Sequence, residues 1–130
     1  MITTYLNSGL EGYVFKIIDK DTQEAFALKV YTRARSNTAD EMMAKYRCYT
    51  NNEKCQKIRE LCNLPLYVDR LQSLTVFPLL DISRDVSSSS DEYIHHQEEI
   101  KKALPHLRDR SISNVMYDFN VNLKAIDFCW

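Results

Sequence analysis

Glycine is nearly missing from this chain. Two are present among 130 residues, Gly9 and Gly12, both within Leu6-Asn7-Ser8-Gly9-Leu10-Glu11-Gly12-Tyr13. Soluble chains carry about 7% glycine, so the whole supply is concentrated in one loop. Neither sign of charge dominates: 17 Lys and Arg stand against 18 Asp and Glu, a formal net charge of -1. That balance gives no general attraction to nucleic acid or to an anionic membrane. No apolar run approaches the length of a bilayer span, and MITTYLNSG lacks the basic start and apolar stretch of a signal peptide. Cys48, Cys55, Cys62 and Cys129 contain no C-x-x-C pair, so closely paired metal ligands are missing. Buried free thiols in a reducing, cytoplasmic compartment are the expectation. Cys48, Cys55 and Cys62 stand seven apart, which puts them on one face of any helix there.

What is present is ordinary globular material, 45% hydrophobic and 27% charged. The length suits one domain, or a shortened form of a larger one, and a core burying about two-thirds of the unfolded surface. YVFKII and EAFALKVY are rich in β-branched and aromatic residues and flank the polar turn DKDTQ, which predicts two antiparallel strands. The N-terminal run adds a strand before the glycines. RARSNTAD reads as a loop, and a long helical stretch runs through KCQKIRELC to a stop near Asn63–Pro65. LPLYVDRL and SLTVFPLL predict two more strands. ISRDVSSSSDEY, with serine at 87 to 90, reads as a flexible connector. EYIHHQEEIKKAL is helical, with Glu98 and Lys102 at a supporting spacing. NVMYDFNVNLKAIDF predicts a hairpin around Asp-Phe-Asn-Val-Asn. In the helical segment His95, His96, Glu98 and Glu99 could suggest a metal, but adjacent histidines diverge on a helix, and a solvated face is the expectation.

Two readings of the glycine loop compete. A turn needing positive φ is one; a loop whose backbone approaches phosphates is the other. Residues at fixed distances decide. Asn7-Ser8-Gly9-Leu10-Glu11-Gly12-Tyr13-Val14 resembles the protein-kinase pattern G-x-G-x-x-G-x-V, with Asn7 for the first glycine. Phe26-Ala27-Leu28-Lys29 resembles V-A-I-K, although a strand lysine can simply face solvent by alternation. Leu107-Arg108-Asp109-Arg110-Ser111-Ile112-Ser113-Asn114 resembles H-R-D-L-x-x-x-N, and Ile126-Asp127-Phe128-Cys129 resembles D-F-G. The four partial motifs stand in family order across nearly the whole chain.

The resemblance implies an α+β, protein kinase-like fold: a five-stranded antiparallel N-lobe sheet with one long helix, plus a reduced C-lobe of one helix and a β-hairpin. Its division of the chain is an N-lobe over 1–80, a serine-rich hinge over 81–92 and a C-lobe over 93–130. It implies ATP and Mg²⁺ as ligands. Backbone around Gly9 and Gly12 would approach the phosphates, Val14 and Ala27 would line the adenine site near Val76 to Leu80, and Lys29 would bind the α- and β-phosphates. Asn114 and Asp127 would hold the metal, and Asp109 would orient the hydroxyl nucleophile. Glu53 is preferred over Glu41 as the helix partner of Lys29.

The same motifs also depart from the family. Leu107 replaces the usual histidine, Ser111 stands where many members have lysine, and Cys129 replaces the D-F-G glycine. The chain ends at Trp130, before the region that seats a peptide in protein kinases. Three readings follow: a minimal phosphotransferase similar to compact effector kinases that some bacteria deliver into a host cytosol, a pseudokinase serving as a regulatory or protein-binding module, or a truncated product. A protein partner or second copy covering the reduced C-lobe is expected; nucleic acid and membrane are not.

Overall fold

A computed structural model describes residues 2–8, 12–31, 56–69, 71, 73–104 and 115–126. The chain forms two units, Met1–Asn51 with Leu64–Leu79, and Asn52–Asn63 with Leu80–Trp130.

The first unit is built on a five-stranded antiparallel sheet. Its strands are β1 (Ile2–Ser8), β2 (Gly12–Ile18), β3 (Ala25–Tyr31), β4 (Tyr67–Asp69) and β5 (Leu74–Pro78), in the order β1-β2-β3-β5-β4. The β2–β3 turn falls on the predicted polar stretch. Asp19 accepts hydrogen bonds from the backbone N–H of Asp21 and Thr22 at 2.8 and 3.2 Å, and Gln23 takes positive φ of 61° to close the loop. The β1–β2 register shifts between Tyr5 and Asn7, leaving Leu6 as an extra residue on the outer strand. Among the described residues of this sheet, Gly12, Ile17, Tyr31, Val68 and Thr75 are buried.

Gly12 answers half of the glycine question. It pairs with Tyr31 in the β2–β3 ladder, at φ 157°. A Cβ there would stand 1.9 Å from the Val30 carbonyl oxygen, closer than two such atoms can come. The close approach of two strands therefore requires glycine at 12, whether or not a ligand approaches the loop. Gly9 lies outside the described residues.

The second unit contains α1 (Gln56–Leu61), α2 (Asp91–Ala103) and a hairpin of β6 (Val115–Tyr117) and β7 (Leu123–Ala125). Only the end of the expected long helix is described, as α1; residues 32–55 lie outside the description. Along α2, His96 and Ile100 are buried, Tyr93 is half-buried and Leu104 is buried just past its end, a spacing that fits one helical face. Val115, Tyr117 and Leu123 of the hairpin form a small core against Val86 and Tyr93. Among the described residues no helix is long and apolar enough to cross a membrane.

The serine run also carries a helix cap that its composition did not announce. Ser90 is the N-cap of α2: its hydroxyl accepts from the Tyr93 N–H at 3.2 Å and donates to the Ser87 carbonyl at 2.8 Å. Short hydroxyl side chains satisfy helix N–H groups that otherwise lack partners, and this gives the run a fixed local role. Lys102 meets Glu99 at 3.8 Å.

The β6–β7 turn follows the same logic as the β2–β3 turn. Asp118 accepts from the N–H groups of Asn120 and Asn122 at 2.9 and 2.8 Å, and Val121 adopts φ 62°. A β-branched residue in that region is strained. Two substitutions should therefore move stability in opposite directions. In chemical denaturation, Gly12→Ala should destabilise by at least about 2 kcal/mol. Val121→Gly should stabilise by about 1 kcal/mol through relief of left-handed strain.

Candidate functional site

The sheet register fixes which side chains share a face. Val14 is directly opposite Lys29, Lys29 is opposite Thr75, and Thr75 is opposite Val68. Ala27, two residues before Lys29, is opposite Lys16 on one side and Phe77 on the other. Cross-strand partners and alternate residues lie on the same face of a sheet. Val14, Ala27 and Lys29 are thus brought together, all half-buried.

Lys29 has a defined neighbour on that face. Its Nζ stands 5.4 Å from the centre of the Tyr31 ring. Tyr31 is buried, and the fully buried Thr75 hydroxyl donates to its phenol oxygen over a long 3.5 Å. Neither residue was singled out in the sequence. Tyr31 was within reach of the alternation rule, two positions from Lys29. Thr75 depends on a β3–β5 register set by distant parts of the chain.

The other named residues are not part of the described structure. Gly9, Glu41, Glu53, Asp109, Asn114 and Asp127 all lie outside the described residues. Of the sequence-derived set, Gly12, Val14, Ala27 and Lys29 have described positions.

A second cluster lies within the second unit. The C-terminal carbonyls of α1 have no partner in their own helix and are met by side chains from other elements. Lys124 of β7 donates to the carbonyls of Arg59 and Glu60 at 3.2 and 2.7 Å. His96 of α2 bonds the Leu61 carbonyl through Nε2 at 2.9 Å. An oxygen of this kind only accepts, so Nε2 carries the proton. Nδ1 of His96 is buried without a partner among the described residues. Glu60, Leu61, His96 and Lys124 line a groove of about 460 Å³, together with Glu92 and Leu123.

His96 corrects one expectation. His95 is exposed, but its neighbour is 5% exposed and belongs to the packing between α1 and α2. Its periodicity with Ile100 was the available signal. Among the described residues, no three His, Cys, Asp or Glu side chains are grouped to hold a metal. Cys62, just past the end of α1, is a buried cysteine; Cys48, Cys55 and Cys129 lie outside the described residues.

Electrostatics here favour a neutral ring. Burial pushes the His96 pKa below its ordinary value, and the nearby Lys124 and His95 push the same way, against the opposing effect of the Leu61 carbonyl. Glu99 is held below the usual carboxylate range chiefly by its hydrogen bond to Lys57, 3.2 Å away. Tyr117 donates to Glu92 at 2.9 Å, which raises the phenol pKa.

No family model matches the chain, and no curated protein matches it.

The histidine makes stability pH-dependent in a stated sense. Above about pH 6.5 the imidazole is neutral in both the folded and the unfolded chain. Below that value the unfolded chain takes up a proton that the folded ring resists, so stability falls with acidification. The melting temperature should drop between about pH 7.5 and about pH 5.5, and the drop should shrink in His96→Gln. Superimposable pH profiles for the two proteins would refute this. Lys124→Met should cost about 1 kcal/mol at neutral pH by uncapping two carbonyls.

Proposed function

We propose that this chain is a protein kinase-like, nucleotide-binding protein that transfers a phosphoryl group from ATP to a protein hydroxyl. The observation that carries the reading is the sheet register: two small apolar residues, Val14 and Ala27, share a face with Lys29 at the centre of the sheet, and Lys16 lies on the same face beside Ala27. That is the donor set a nucleotide needs from a sheet, an apolar strip for the base and an ammonium for the phosphates. The described residues therefore fit the ligand as far as they reach.

Phosphoryl transfer asks a protein mainly for positioning and for neutralisation of phosphate charge. Lys29 would supply a point charge to the α- and β-phosphates, a role its half-buried setting strengthens by reducing the screening around it. Magnesium, when bound, offsets charge on phosphate oxygens, and it favours oxygen ligands of the kind offered by Asn114 and Asp127. Asp109 would orient the acceptor hydroxyl and take its proton. Glu53 would hold Lys29 in line.

The alternative is a pseudokinase that binds partners without catalysis. Its support is the set of altered motif positions, Asn7, Leu107 and Cys129. The two readings part on the dependence of binding on Lys29. A module should bind its partner equally well as wild type and as Lys29→Ala.

Thermal unfolding with and without millimolar Mg·ATP tests the proposal. A ligand that binds only the folded chain stabilises it by mass action, by about 2.7 kcal/mol at a hundred times its dissociation constant. The expected result is a clear rise in melting temperature that disappears in Lys29→Ala and in Asp127→Ala, along with any autophosphorylation. An unchanged melting temperature at millimolar nucleotide would overturn nucleotide binding.

A further inference from the structure

We infer that Tyr31 is a positioning residue for the Lys29 ammonium: its ring fixes where the positive charge stands before a phosphate-bearing ligand arrives. The inference rests on the nucleotide-binding reading of the same sheet face. Residues two apart in a strand leave the same face, and Lys29 Nζ stands 5.4 Å from the Tyr31 ring centre. That is inside the range of about 6 Å over which an aromatic quadrupole attracts a cation.

The ring is itself held in place. Tyr31 is 7% exposed, its backbone N–H donates to the Ser73 carbonyl at 2.9 Å, and the buried Thr75 hydroxyl reaches its phenol oxygen. Its cross-strand partner on β2 is Gly12, which puts no side chain beside it. A fixed ring therefore faces a side chain with four flexible bonds.

One consequence favours phosphate. A lysine loses much rotamer freedom when its ammonium is immobilised. Where the free protein already restricts it, less is lost on binding.

The test compares Mg·ATP with adenosine, which has the base and ribose but no phosphate, by calorimetric titration. The proteins are wild type, Lys29→Met, Tyr31→Phe, Tyr31→Leu and the double variant Lys29→Met/Tyr31→Leu. Tyr31→Phe keeps the ring and should stay close to wild type. Tyr31→Leu should weaken Mg·ATP about three- to tenfold, leave adenosine unchanged, and add nothing in the Lys29→Met background. Should Tyr31→Leu fail to fold, phenylalanine carrying one, two or three ring fluorines at position 31 retains nearly the same volume while withdrawing the quadrupole in steps. Mg·ATP affinity should fall along that series while adenosine affinity stays level. Mg·ATP affinity that is flat across the series, or that falls in parallel with adenosine, while Lys29→Met still weakens Mg·ATP, would overturn the role of Tyr31 and leave the nucleotide reading standing. A wild-type protein that does not bind Mg·ATP, or a Lys29→Met protein that binds it normally, would overturn both.

Discussion

The first unit depends on the register of one strand. β3 is the middle of the five, hydrogen-bonded to β2 along one side and to β5 along the other. Side chains alternate strictly along a strand, so a slip of one residue would exchange its two faces completely. Ala27, Lys29 and Tyr31 would then leave the face that holds Val14 and Thr75. Gly12 guards against this at one end, because no other residue fits so close to the Val30 carbonyl. At the other end the Asp19 turn sets the reversal from β2 into β3. The candidate site is thus a consequence of backbone pairing more than of any contact its own side chains make.

The second unit solves a different problem. The last carbonyls of α1 point beyond its final turn and lack amide partners within the helix. Lys124 and His96 reach it from the hairpin and from α2, and Asn63 continues the link by donating its backbone N–H to the Ala125 carbonyl at 2.8 Å. The lysine adds a positive charge at the negative end of the helix dipole. The histidine contributes a neutral donor, and burial keeps it neutral. Three elements separated in sequence are joined at one small polar point, surrounded by the apolar side chains of Leu61 and Leu123.

Local chemistry was readable in the sequence wherever it was decided within a few residues. The strands YVFKII and EAFALKVY, the DKDTQ turn and the Asp118 hairpin all follow from alternation and turn residues close at hand. The α+β class and the five strands followed from the same signals, whereas their joining into one antiparallel sheet was an expectation drawn from the resemblance. Less legible was anything decided by distant partners. Ser87 to Ser90 looked like a spacer because composition does not say that Ser90 caps a helix. His96 looked solvated because the carbonyl it meets is 35 residues away in sequence. Gly12 was weighed as a turn or as a phosphate loop, and the close passage of β3 was a third cause that no local pattern contained. For the candidate site, Val14, Ala27 and Lys29 were accessible as motif positions, whereas the register that unites them was not.

The extra residue in β1 matters beyond its own ladder. Among the described strands β1 ends the sheet order on one side, and an outermost strand presents amides to which another strand can add. The bulge at Leu6 bends that border so that a straight incoming strand cannot match it for long. Backbone irregularity thus protects this margin from the edge-to-edge pairing that leads to fibrils.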